Sequence, residues 1–156
     1  MSNVLNGAWP PNGPAVPHSY TVFCPPLETS PRIARHFTAT VLRSHHLDDL
    51  ADAVMLCTSE LVTNAVVHAA GVGSLLWLAV SWAEVRLTVY DGNTALPRTR
   101  PVSEACETGR GLPLLDALAT EWGATLGAPL GLGGTEGKGI WCRFDRHPAY
   151  GVRGSV

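Results

Sequence analysis

The chain has 156 residues, 46% hydrophobic and 15% charged, a composition that predicts one globular domain with its own core. Its formal net charge is −2 and its Lys and Arg residues form no block, which excludes an obvious basic surface for nucleic acid. The cysteines are scattered, no signal peptide is apparent, and the longest apolar run, Leu75–Val80, is too short to cross a bilayer. We therefore expect a cytoplasmic protein with reduced thiols and no membrane partner.

The composition changes near each end of the chain. Residues 1–18 are rich in proline and show no apolar period, so we expect a disordered leader there. Residues 19–145 are predicted to be the folded domain. Residues 146–156, which contain Pro148 and Gly151, are predicted to be a flexible tail.

The first predicted elements are a short strand and a helix. Tyr20–Phe23 is β-prone and is followed by two prolines. Ser30 before Pro31 is typical of an N-cap followed by the first helical residue. The helix is expected to end near His46, and these apolar residues are predicted to face the core: Ile33, Ala34, Phe37, Val41 and Leu42.

A second helix is predicted from Asp48 to about Ala70. On it Glu60, Asn64 and His68 recur every fourth residue and form one polar stripe. A carboxylate and a carboxamide one turn apart offer the oxygen ligands that Mg²⁺ prefers. A solvated helix face has the same appearance, so the stripe alone does not distinguish the two.

An antiparallel hairpin is predicted next, from segments 75–82 and 85–90 with Glu84 in the link. Its second strand alternates apolar with more polar residues. Asp91-Gly92-Asn93 ends that strand. The polar segment 94–108 has too few apolar residues for a core, and a loop of this length predicts a lid.

Gly109-Arg110-Gly111 opens a third helix and is either a glycine hinge or a phosphate-binding helix start. The dinucleotide and Walker patterns are not met. Strands are predicted at 122–126 and 138–144 around a glycine-rich turn, with Lys138 as a solvated charge at the edge. The fold class predicted is an α/β (α+β) two-layer sandwich, with about three helices over a largely antiparallel mixed sheet.

These segments, in this order, resemble the ATP-binding domain of the GHKL superfamily, with its Bergerat-type fold. Within it they are most similar to anti-sigma factor serine/threonine kinases of the RsbW type, in their short actinobacterial form. The resemblance covers about residues 18–145. The motifs that carry it are S-E-L-V-T-N-A-V-V-H-A (59–69), V-Y-D-G-N-T-A-L-P (89–97), T-G-R-G-L-P-L-L-D-A-L-A-T-E-W-G (108–123) and G-K-G-I-W-C-R-F (137–144).

The resemblance implies ATP and Mg²⁺ as cofactors and a role for each matching residue. Glu60 would be the general base, Asn64 would bind Mg²⁺, and Asp91 would accept a hydrogen bond from the adenine amino group. Gly92 would let the adenine approach the backbone. The residues implied to contact the phosphates are Gly109, Arg110, Gly111 and Leu112.

The sequence departs from the family at two points. Some members carry an Arg just before the G-x-G of the lid, where this chain has Glu107 and Thr108. Arg110 could supply that charge from inside the motif, or Arg98 or Arg100 with the lid; if none does, the protein would bind ATP but transfer its phosphoryl group slowly. The segment after Asp91 also lacks the second glycine of the fuller D-x-G-x-G pattern.

Two functions remain open from the sequence. The first is a kinase that phosphorylates a serine on a STAS-type anti-anti-sigma partner and alternatively holds a sigma factor. The second is a non-catalytic module in which ATP stabilises a protein-binding surface, favoured by Glu107. Whether the protein forms a homodimer is also left open.

Overall fold

A computed structural model describes residues 18–68, 71–92, 111–126 and 137–146. Within these ranges three helices and five strands follow the order β1-α1-α2-β2-β3-α3-β4-β5. The strands are β1 (His18–Cys24), β2 (Ser74–Val80), β3 (Glu84–Asp91), β4 (Glu121–Leu126) and β5 (Lys138–Asp145), and the helices are α1 (Ser30–Ser44), α2 (Asp48–His68) and α3 (Gly111–Leu118).

The described strands form one sheet in the order β1-β2-β3-β5-β4. Each of their pairings is antiparallel. β3 is the central strand, and β5, which follows all other described elements in the chain, lies between β3 and β4. The predicted α+β two-layer fold with a largely antiparallel sheet is therefore confirmed, and no parallel pair occurs among the described strands.

The main core lies between the helices and one face of the sheet. It combines the buried face of α2 with alternate residues of the three inner strands, because side chains two apart in a strand share a face. Leu115 of α3 joins the same core. The strand residues in it are Leu76, Leu78, Val80, Val85, Leu87, Val89, Ile140, Cys142 and Phe144.

The second face of the sheet is less polar than the alternation in β3 predicts. Thr88 and Tyr90, expected on a more polar face, are buried, as is Trp77 beside them. The guanidinium carbon of Arg86 lies 4.8 Å from the centre of the Trp141 ring, in a cation–π contact. Aromatic residues therefore cover the middle of this face.

Helix α1 corrects two details of the prediction. Ser30 lies inside the helix rather than at its N-cap, and its hydroxyl donates to the carbonyl of Pro25 at 2.6 Å. Ile33, predicted in the core, is 58% exposed because it lies beside the face formed by Ala34 and the residues one and two turns later. That face includes Thr38, whose hydroxyl bonds to Thr58 of α2 across 3.2 Å.

Helix α2 is long and apolar enough, by length and composition alone, to cross a membrane, a test that the core helix of a soluble protein also passes. Its apolar residues are used in the fold, since Val54, Leu61 and Val62 pack in the main core. The expectation of no membrane partner remains a prediction.

The ends of the predicted domain and the hairpin link differ slightly from expectation. His18, placed in the leader, begins β1, and Glu84, placed in the link, begins β3. Arg146, placed in the tail, is fixed to the β2–β3 turn, where its side chain donates to the Ser81 carbonyl at 2.7 Å and its backbone N–H to the Ala83 carbonyl.

Candidate functional site

The polar stripe of α2 lies along the border between the core and the surface. Glu60 and Asn64 are both half-buried, and His68 at the helix end is exposed. Ser59, next to Glu60, accepts a hydrogen bond from the Arg35 guanidinium of α1 at 3.0 Å. This bond fixes α2 to α1 next to the stripe. The Glu60 carboxylate and the Asn64 carboxamide remain accessible to a ligand.

Asp91 is the last residue of the central strand and is buried. It shares the strand alternation of Val85, Leu87 and Val89, which are part of the core beneath the helices. Its carboxylate therefore belongs to the helix-covered side of the sheet. Gly92 follows directly and is half-buried.

Lys138 is the partner of Asp91, and its predicted position as a solvated edge charge is wrong. Its Nζ donates to Oδ1 and Oδ2 of Asp91 at 3.1 and 3.2 Å, and both side chains are less than a tenth exposed. The strand alternation could have revealed it, because residue 138 shares a face with the apolar Ile140 and Cys142. The flanking glycines instead indicated an open turn.

α2 and Asp91 lie on the same side of the sheet, joined by a short connection. β2 begins at Ser74, and Leu75 pairs with Tyr90, so β2 starts at the sheet end where β3 finishes. Residues 69–73 span at most about 20 Å, and Asn64 lies about 6 Å along the axis from His68. α2 also packs on β3 and β5, on the face of the sheet that Asp91 shares, so this connection is compatible with one ligand contacting both the stripe and Asp91.

The predicted phosphate-binding segment is described only in part. Gly109 and Arg110 lie outside the described residues, as do the proposed lid 94–108 and Glu107. Gly111 begins α3 and Leu112 follows it in the helix. α3 is held in place from both sides, since Leu115 is in the core and Asp116 accepts a hydrogen bond from the indole N–H of Trp122 in β4.

The described residues contain no group of three or more His, Cys, Asp or Glu side chains that could hold a metal ion. A magnesium ion bound together with phosphates needs only one or two protein oxygens, since water and phosphate complete its shell. The accessible oxygens of Glu60 and Asn64 fit that requirement.

Comparison with known proteins does not extend this picture. No protein-family model matches the chain, and no curated protein matches it significantly.

Proposed function

We propose that this protein is an ATP-binding regulatory protein of the GHKL type, and that it acts as an anti-sigma factor serine/threonine kinase. The observation that supports this most is the buried Asp91 at the end of the central strand, on the helix-covered side of the sheet. A buried carboxylate at a strand end, beside a helix that carries Glu60 and Asn64, suits recognition of a nucleobase at one end and phosphates at the other.

Asp91 and Gly92 form the adenine end of the proposed site. The Asp91 carboxylate accepts a hydrogen bond from the 6-amino group, and burial makes that bond stronger than it would be in water. Gly92 has no side chain to keep the purine from the backbone. Since Asp91 belongs to a strand paired on both sides, the acceptor is held rigidly.

Asn64 and Glu60 form the reactive end. Asn64 contributes its side-chain oxygen to Mg²⁺, and bound Mg-ATP supplies the phosphoryl group and the charge neutralisation that its transfer requires. Glu60, one turn earlier, orients the attacking serine hydroxyl and accepts its proton. The backbone N–H groups of Gly111 and Leu112, together with Gly109 and Arg110, bind the phosphates.

The partners follow from the same proposal. The phosphorylated substrate is a STAS-domain anti-anti-sigma protein, and the protein held in the alternative state is a sigma factor. Both would be met in the cytoplasm.

Nucleotide binding is tested first, by thermal unfolding with ATP and Mg²⁺, with Mg²⁺ alone, and without ligand. A ligand that binds only the folded state at a hundred times its Kd adds about 2.7 kcal/mol of stability, and the unfolding temperature should rise by several degrees. Asn64→Ala should lose most of the rise in unfolding temperature that depends on Mg²⁺. Thr63→Ala is the matched control, because Thr63 is exposed on the same helix outside the stripe.

Phosphoryl transfer is tested with labelled ATP and a candidate STAS-domain partner. Glu60→Gln should retain ATP binding and lose transfer, because it removes the base while keeping the shape of the side chain. Binding by the wild type without transfer to any partner would instead support the non-catalytic module, which Glu107 in the lid segment favours. No stabilisation by ATP would contradict both functions.

A further inference from the structure

The ion pair between Lys138 and Asp91 suggests a role that the motif resemblance does not assign. The two side chains come from adjacent central strands at matching register positions, and both are nearly removed from solvent. The Lys138 ammonium lies within 3.2 Å of both carboxylate oxygens. A nucleobase that reaches Asp91 therefore also reaches Lys138.

A buried ion pair needs an explanation other than stability. Removing two charges from water costs about as much as their attraction returns, so apolar residues would serve the fold equally well. A carboxylate alone at this depth would be costly to keep ionised. The ammonium compensates that charge and places a donor beside the acceptor.

We propose that Lys138 is a specificity-determining residue that recognises the nucleobase together with Asp91. Lys138 Nζ donates to ring nitrogen N1 of adenine while Asp91 accepts from the 6-amino group. This inference rests on the proposed function, in which Asp91 contacts adenine. It adds Lys138 as the residue that recognises N1 of the base.

The chemistry of the adenine edge matches the pair. Adenine presents a donor, the 6-amino group, next to an acceptor, N1, on its Watson–Crick edge. The protein presents an acceptor and a donor 3.1 Å apart, held by strands about 4.8 Å from each other. Carboxylates and ammonium groups each serve several partners at once, so neither bond requires the ion pair to break.

The test measures the affinity of the wild-type protein for three nucleotides: ATP, 1-deaza-ATP, in which N1 is replaced by C–H, and purine riboside triphosphate, which lacks the 6-amino group. A hydrogen bond from a charged donor predicts that 1-deaza-ATP binds about ten- to a hundredfold more weakly than ATP. Purine riboside triphosphate should also bind more weakly, because it lacks the donor to Asp91.

A variant of Lys138 assigns the effect, and a double variant is its control. Lys138→Met should bind ATP and 1-deaza-ATP with equal affinity, because it has no donor for N1. Since Lys138→Met removes the ammonium that compensates the buried Asp91 charge, the double variant Asp91→Asn with Lys138→Met is measured beside it. The double variant keeps the shape of both side chains without buried charge and controls for folding. The carboxamide that replaces the carboxylate has N–H donors of its own, so the assignment to Lys138 comes from Lys138→Met.

The outcomes separate this inference from the proposed function. If the wild type discriminates against purine riboside triphosphate but binds ATP and 1-deaza-ATP equally, Asp91 recognises adenine and the role of Lys138 is overturned. A penalty for 1-deaza-ATP that persists in Lys138→Met also overturns it. If no adenine nucleotide binds the wild type, the proposed function itself fails.

Discussion

Lys138 and Asp91 occupy facing positions at the last pair of the β3–β5 ladder, and their charged groups bond to each other on the helix-covered side of the sheet. The pair joins two central strands at the point where β3 ends. This contact has consequences for stability that do not depend on any ligand.

The first prediction concerns the stability of the pair. Asp91→Asn or Lys138→Met alone should lower the free energy of unfolding by about 3–5 kcal/mol, because each removes one charge of a buried ion pair and keeps the other. The double variant should recover most of that loss. Urea denaturation of the wild type, the two single variants and the double variant measures these free energies as a double-mutant cycle. Additive losses would show that the two groups do not stabilise each other.

The second prediction concerns Gly139, which lies under the ring of Tyr90. A Cβ at residue 139 would lie 2.8 Å from two carbons of that buried ring. Gly139→Ala should therefore lower the free energy of unfolding by about 1–3 kcal/mol, although alanine is normally the better residue in a strand. In a Tyr90→Ala background the same substitution should cost less, because only the contact of the Cβ with Thr125 Cγ2, at 3.1 Å, then remains tight. An equal cost in both backgrounds would contradict the steric explanation.

The third prediction concerns pH. Burial, with the nearby positive charges of His18, Arg146 and His46, lowers the pKa of His45. The neutral ring also bonds to the Tyr20 hydroxyl at 2.7 Å. Because the unfolded chain then binds the proton more readily, this contribution to stability is present above about pH 6.5 and is lost as the pH falls towards the lower pKa of the folded state.

Urea midpoints at pH 7.5, 6.5 and 5.5 measure that loss. His45→Gln should flatten the dependence over this range, whereas His36→Gln, at an exposed position of α1, should leave it unchanged. A wild-type protein whose stability rises as the pH falls from 7.5 to 5.5 would contradict the predicted direction of the pH dependence.

The fourth prediction concerns the thiols of Cys57 and Cys142, which lie together in the core between α2 and β5. A hydrogen bond with Cys57, with burial adding to it, raises the pKa of the Cys142 thiol. The raised pKa keeps Cys142 in the unreactive thiol form, and complete burial excludes a reagent from both side chains, so both residues should resist a disulfide reagent until the protein unfolds. The measurement uses a background with Cys24→Ser and Cys106→Ser. Labelling of the native protein as fast as that of a peptide thiol would contradict it.

Local sequence patterns predicted most of the elements but not their arrangement. The apolar period of α2 and the alternation in β3 are local properties, so both elements were found close to their observed bounds. The insertion of β5 between β3 and β4 is set by pairing between distant segments, which no local pattern specifies. The pairing of Lys138 with Asp91 is equally non-local, whereas the burial of Lys138 was missed because its flanking glycines indicated an open turn.

The site was predicted less completely than the fold. Glu60, Asn64 and Asp91 occupy places that suit the predicted chemistry, since the first two are accessible on one helix and the third is buried at a strand end. Their roles stay predictions. Gly109 and Arg110 lie outside the described residues, so the prediction that they bind the phosphates depends on the sequence motif alone.

The place of β5 in the sheet also bears on synthesis of the protein. β3 gains its second neighbour, and β4 its only one among the described strands, from a segment that follows both in the chain. On the ribosome, a nascent chain that has not yet released residues 138–145 therefore carries two strands with unpaired edges, which are prone to aggregation. Completion of the sheet is expected to wait until β5 emerges from the ribosome.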